Sequence, residues 1–490
     1  MSAAAAAVQP VDFVALGPPL VVAVGALAVL LFDLSLPSRP RIAGYLSASV
    51  LVVAAVALVP LRGDTHRTFC VQGQLRGPCS YVADDLTVLV QLVILGGALV
   101  VVLMSISERL PPGEYYLLLL ASIAGALVVP AARDLATLMV ALEAVSLPGF
   151  ALVAIRRDAR AAQASLSAFL TSITAAAVSF LGVAFVYGST GSLYLERIAG
   201  TGATAPSLKP LFYAGAVLVL ASPLFKLAAV PLHAWAPDAY MGAPLPIAAY
   251  LSVVSKAAGL AAVLVLVVGL ARASQAWVLA LALVAIATML VGNLGALRQH
   301  RAVRFLAWSS IAQAGYLLVP IVSAGAILDR ASAIAASVAY LAAYAAMGIG
   351  AFAVVHATAP AGVAPYDLRL QDFRGLARTR PVLGLSLAFF LACLAGLPPG
   401  IVGLVVKMRV LELPVRTGAP LVAVAMAVAT VIGIAYYLRF AVLLFAEPEQ
   451  ADRSRRSAVL LPSAGGAVLA LFVTIVLSVL PALVVGVLRA

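Results

Sequence analysis

The sequence predicts an all-α polytopic membrane protein, and three observations predict it. Of its 490 residues, 64% are hydrophobic and only 10% charged, against about 25% charged in an average soluble protein. Apolar runs of roughly the 17–25 residues that a bilayer crossing needs recur from end to end. Basic residues gather between those runs, as at Arg39/Arg41, Arg156/Arg157/Arg160, Arg298/Arg301/Arg304 and Arg369/Arg374/Arg378/Arg380, the footprint of cytoplasmic loops. The net charge of +12 therefore reads as topology and argues against a nucleic-acid partner. No sizeable soluble domain fits between the runs.

The reading gives about fourteen transmembrane helices. They fall at 13–34, 42–61, 86–106, 115–132, 135–155, 164–188, 209–231, 244–270, 276–296, 303–324, 331–357, 382–405, 417–444 and 459–487. The first follows Asp12 rather than a basic stretch and is too long for a signal h-region. The second and third flank the longest loop of their set, 62–85, which carries Cys70 and Cys79. The seventh holds Pro223, Lys226 and Pro231, and the twelfth holds Pro398 and Pro399 ahead of Lys407. Proline frees backbone carbonyls, which at bilayer depth are tolerated only against protein or water. Both spans are thus expected to be broken helices.

The two broken spans lie five apart. A five-span unit has an odd number of crossings, so two copies must be inverted; spans 4–8 and 9–13 are the expected pair. The chain then divides into a three-helix region (1–112, with loop 62–85), a first repeat (113–270), a second (276–444), and a cytoplasmic loop with a last helix (445–490). Lys and Arg are in excess in loops after odd-numbered spans, which places those loops in the cytoplasm and both termini outside. Loop 62–85 then meets an oxidising environment, where Cys70 and Cys79 either pair or remain free thiols. With Cys393 inside a span, the three cysteines build no metal framework.

Lysine usage carries the chemistry. The chain has 27 arginines but four lysines, Lys209, Lys226, Lys256 and Lys407, and three of the four lie inside predicted spans. Arginine stays protonated in any protein environment, whereas a buried lysine, glutamate or histidine can alternate between charged and neutral. An ionisable group inside the membrane is a functional candidate by default. Glu143 is the one acidic residue well inside a span and the natural partner of a lysine. A structural ion pair is the alternative, but three lysines and one carboxylate do not neutralise pairwise.

Other polar residues stay open. His233, near Trp235 and Asp238, suits proton uptake or loop packing. His356, ending the eleventh span, suits a relay or a capped helix end. Ser252, Ser255, Ser309 and Ser310 can bond helices or hold water. Tyr436, Tyr437 and Arg439 read as an interfacial anchor, and Glu447 to Arg456 as a solvated loop.

The stretch FKLAAVPLHAWAPDAYMGAPLPIAAYLSVVSKAAG (225–259) resembles the proton-translocating, antiporter-like membrane subunits of respiratory complex I, the NADH-quinone oxidoreductase. GEYYLLLLASIAGALVVPAARDLATLMVALEAVSLPGFALV (113–153), VGNLGALRQHRAVRFLAWSSIAQAGYLLV (291–319) and AYYLR (435–439) extend the resemblance over roughly 85–445. Within the family the wording PDAYMGAPLP with SKAAG, the lysine in the twelfth span and the stop after the fourteenth are most similar to the subunit N group. The resemblance implies a proton relay in which Glu143 and Lys226 form a modulating pair, Lys256 is the central carrier and Lys407 delivers to the outer side. It also implies a bacterial inner membrane, other complex I membrane subunits as partners, and no redox cofactor in this chain, NADH and quinone being handled elsewhere. Two departures stand out. Ser167, in QASLSAF, occupies the place where the family often has a sixth-span lysine, and the segment from Pro399 to Lys407 is one residue longer than usual. A subunit of a multi-subunit cation/proton antiporter or of a membrane-bound hydrogenase is the rival reading, and a scaffold with buried ion pairs a third.

Overall fold

The computed structural model describes residues 11–36, 40–71, 77–108, 110–270, 275–324, 330–359, 364–448 and 459–480. Arg39, most of the 445–458 loop and the predicted end of the last span, 481–487, lie outside the described residues.

Among the described residues, thirteen helical segments are long and apolar enough to cross a membrane. The predicted twelfth span is two shorter helices, Pro381–Ala395 and Ile401–Arg416. The sequence expectation ended this span at 405 because charges follow. Those charges instead sit on a helical face as Arg409–Glu412 (3.1 Å, i,i+3) and Arg416–Glu412 (2.5 Å, i,i+4), a spacing at which side chains of a helix meet. The sixth span is also longer than expected, Ala159–Thr190. Asp158 accepts the Ala161 N–H (2.8 Å) and starts the helix before its apolar run begins, and left-handed Gly191 ends it.

The connections contact one another in two sets. Ends and loops of odd-numbered spans bond to each other: Gly113 N–H to Asp33 (3.1 Å), Arg157 to Glu114 (3.1 Å), Arg304 to Asp238 (3.5 Å), Ala302 N–H to the Leu368 carbonyl (2.9 Å). Even connections do likewise, with Arg133 on Asp84 (2.7 Å) and Leu195 N–H on the Arg133 carbonyl (3.0 Å). Loop 62–85 adds one element the all-helical reading lacked. It forms an antiparallel hairpin, His66–Cys70 with Cys79–Ala83, in which Cys70 faces Cys79 and is joined to it by a disulfide. An Asp12–His66 contact (2.8 Å) ties this hairpin to the start of the first span.

The bundle is layered around three spans, Leu245–Leu270, Ala302–Ala324 and Arg330–Thr358, which are almost wholly buried, while the first, second, sixth and last expose large apolar side chains. Small residues let the central helices close up. A Cβ on Gly292 would collide with the Ala312 nitrogen, so the ninth and tenth spans meet backbone to backbone there. Gly259 does the same for the eighth span against the seventh, where a Cβ would sit 2.8 Å from the Cβ of Lys226.

Candidate functional site

The site grows from two helix ends inside the bundle. Ala221–Leu227 and Pro381–Ala395 both stop in mid-protein. Each is followed by a residue in the left-handed region, Ala228 (φ 54°) and Gly396 (φ 81°). In the first, Ala229 N–H bonds the Leu224 carbonyl and Ala228 N–H that of Phe225; in the second, Leu397 N–H bonds Ala392 and Gly396 N–H bonds Cys393 (2.9–3.0 Å). This double closure satisfies all but the last two carbonyls of each helix. Those carbonyls also carry the negative end of the helix dipole.

Buried lysines take three of these four. Lys256 Nζ donates to the Leu227 carbonyl (3.0 Å) and to that of Ser310 (2.6 Å). Lys407 Nζ donates to Leu394 (2.7 Å) and Ala395 (3.0 Å) and lies 5.1 Å from the centre of the Tyr316 ring. Neither lysine forms an ion pair with a carboxylate among the described residues, so main-chain dipoles hold both ammonium groups.

Lys226 differs. It is buried, sits 5.8 Å from the centre of the Phe150 ring, and interacts through charge with half-buried Glu143 without a direct ion pair. The Gly259 contact puts the eighth span directly on Lys226, one helical turn from Lys256.

Between Lys256 and Lys407 runs the tenth span, whose Ser309, Ser310, Gln313 and Tyr316 recur at helical spacing. The Ser310 hydroxyl meets Tyr344 (3.0 Å) and Ser252 (3.3 Å). The Ser309 hydroxyl meets Tyr437 (2.5 Å), Gln313 Nε2 donates to Tyr437 (3.1 Å), and Tyr340 donates to Gln313 Oε1 (2.5 Å). Gln313 Nε2 also reaches the Leu394 carbonyl that Lys407 holds (3.4 Å). Hydroxyls and one amide thus line the interval from one lysine to the other. Sequence reasoning missed Gln313, Tyr340 and Tyr344. The spacing in SSIAQAGY was the available signal for Gln313.

Several expectations need correction. Tyr436 and Tyr437 are buried within this polar line, Tyr436 donating to Asn293 (3.0 Å), and are not an interfacial anchor. Ser167 is exposed and lines a surface cavity with Arg160 and Arg301, away from the lysines. His233 is half-buried, 3.3 Å from the Pro231 carbonyl and edge-on to Trp308. Burial lowers its pKa, and the carbonyl offsets part of that. His356 is buried, its ring nitrogens on Glu108 (2.9 Å) and Ser463 (2.8 Å), so it fastens three segments together rather than joining the lysine line. No group of three His, Cys, Asp or Glu able to hold a metal occurs among the described residues.

Residues 132–433 match the family described as NADH:quinone oxidoreductase/Mrp antiporter, TM. The chain is 50% identical over 462 residues to NADH-quinone oxidoreductase subunit N 2 of Streptomyces griseus, covering 92% of this chain and 86% of the relative. It is 44% identical to NADH-quinone oxidoreductase subunit N of Salinispora tropica, covering 89% and 86%. Its fold matches a chain of respiratory complex I from Thermus thermophilus with a TM-score of 0.79 at 32% identity, covering 96% and 99%. The Mrp complex of a Dietzia species shares the fold at 21% identity, TM-score 0.80, covering 97% and 96%. The chain belongs to the NADH:quinone oxidoreductase/Mrp antiporter membrane family and, within it, to the subunit N group.

Proposed function

We propose that this chain translocates protons as the antiporter-like subunit N of a proton-pumping NADH-quinone oxidoreductase, assembled with the other membrane subunits of that complex in a bacterial plasma membrane. The observation that carries the reading is the pair of buried lysines on the open carbonyls of two interrupted helices, with hydroxyls between them. Glu143 acts on Lys226. When a rearrangement driven by quinone reduction elsewhere weakens that interaction, the Lys226 proton moves to Lys256, along the tenth span to Lys407, and out.

The magnitudes are compatible. Moving one charge against about 150 mV costs about 3.5 kcal/mol, and a hydrogen bond to a charged group contributes about 1.5–3 kcal/mol. Making and breaking lysine–carbonyl contacts at two helix ends therefore spans the required range. We assign no redox cofactor to this chain; NADH and quinone belong to other subunits. Loops after odd-numbered spans face the cytoplasm and both termini the outside.

In the assembled complex, Lys256→Ala should abolish proton pumping coupled to NADH oxidation. Full pumping in that variant would sink the relay. A stand-alone cation/proton antiporter shares the fold, as the Dietzia complex illustrates, but the identity to subunit N relatives over nine-tenths of the chain favours the complex I reading. Copurification of NADH-oxidising subunits separates the two.

A further inference from the structure

A cavity of about 340 Å³ opens at the end of the bundle that carries the odd-numbered loops, between the sixth span, the Trp235–Gly242 helix and the start of the tenth span. Three guanidinium groups line it, Arg160, Arg301 and Arg304, against one carboxylate, Asp238. Asp238 is engaged by Arg304 at 3.5 Å, and Arg160 is steadied over the Tyr366 ring at 4.2 Å. Arg301 enters no ion pair among the described residues.

The surplus of positive charge is larger than a count of side chains suggests. Arg160 lies in the first turn of Ala159–Thr190, and Arg301 and Arg304 bracket the start of Ala302–Ala324. Two long helices thus add the positive ends of their dipoles at the same place. Gln163 and Ser167, also on the wall, supply neutral hydrogen-bonding groups. Guanidinium groups in a concave site suit an oxygen anion, above all phosphate, which they bind with paired hydrogen bonds.

The surroundings say which phosphate. Beside Gln163 and Ser167, Leu166, Leu170, Ile173 and Leu181 succeed one another at steps of four, three and eight residues, which keeps them along one side of the sixth span, each about half exposed. A free anion has no use for that stripe, whereas an amphiphile needs both parts. We infer that this cavity binds the phosphate of an anionic phospholipid whose acyl chains lie along the exposed face of the sixth span. Such a lipid bridges the sixth span and the tenth, which belong to different halves of the chain.

The test uses the full chain in its native membrane complex, reconstituted with phosphatidylglycerol or phosphatidylcholine carrying a diazirine on one acyl chain. Crosslinks are mapped by mass spectrometry. Phosphatidylglycerol should label residues 166–181, phosphatidylcholine much less. Arg301→Gln should cut the phosphatidylglycerol labelling about tenfold or more, the loss expected for a charge-assisted bond, and Arg301→Lys should restore most of it. Equal labelling by the two lipids, labelling unchanged in Arg301→Gln, or no labelling of the stripe because a protein partner covers it would each overturn the proposal. Competition by inorganic phosphate as strong as by unlabelled phosphatidylglycerol would mark a free-anion site and overturn it too. If Arg301→Gln fails to assemble, the lipid comparison and phosphate competition on the unmodified complex decide alone.

Discussion

The two interrupted helices solve one problem in two ways. At Leu227 the lysine that meets the open carbonyl comes from another span, 29 residues on, while the broken span's own Lys226 turns toward Phe150 and Glu143. At Leu394 and Ala395 the broken span serves itself, Lys407 folding back from its second half. The first break therefore has two lysines and a carboxylate within its reach, the second one lysine and, among the described residues, no carboxylate. The difference teaches where control can enter. Half-buried Glu143 interacts through charge with the lysine at the first break, whereas no carboxylate among the described residues pairs with the lysine at the second.

The largest effect should come from removing the lysines. Lys256→Met and Lys407→Met should each abolish pumping, the first leaving the Leu227 carbonyl and the second that of Ala395 without its donor, at about 1–3 kcal/mol for each one left unpaired. If only one of the two abolished pumping, the breaks would not be parts of one path. Glu143→Gln should slow pumping about tenfold, a barrier change of about 1.4 kcal/mol, without stopping it, because no direct ion pair is lost. Single-turnover pumping in proteoliposomes separates the two results, and complete loss would show that the carboxylate is itself a carrier.

Tyr437→Phe removes the hydroxyl shared by Ser309 and Gln313. It should cost about 1 kcal/mol of stability and slow transfer between the breaks more than proton release from Lys226. Glu108 provides a control outside the relay. Burial pushes its carboxyl up, but His356, with Arg156 further off, outweighs burial and holds it below the ordinary carboxylate value. A carboxyl lowered by folding contributes stability that is complete above its unfolded value and is lost as pH falls through the folded one. Glu108→Gln should thus cost about 1 kcal/mol near neutral pH, flatten acid-induced unfolding, and leave pumping intact. The smallest effect should come from Ala228→Gly, which relieves a left-handed alanine at the first break that the second meets with Gly396. A gain of up to about 1 kcal/mol is expected, read from the thermal midpoint of the complex.

Spans and breaks were legible in the sequence because apolar runs, proline and loop charge act locally. Lys226, Lys256 and Lys407 were legible because charge is scarce. What pairs with them was not. Their acceptors are main-chain oxygens, which every residue possesses, so nothing in the letters distinguishes Leu227 or Leu394 from its neighbours. Tyr437 was misread although the span was expected to run about two turns beyond it, as it does, to Phe445, because a tyrosine near a span's end looks the same whether it faces headgroups or protein. Ser167 was singled out by resemblance, which supplies a position but not the direction it faces. His356 and Glu108 are 248 residues apart, and neither reveals the other by spacing.

The lysines at the breaks have partners that side-chain mutagenesis cannot delete. Any residue placed at 227, 394 or 395 brings the same oxygen with it, so a scan of the chain sees one half of each contact and is blind to the other. The acceptor can be altered only by moving the break itself or by exchanging the amide for an ester. A substitution therefore reaches only the lysine side of each contact, while the positions that receive the lysines are fixed by where the helices stop.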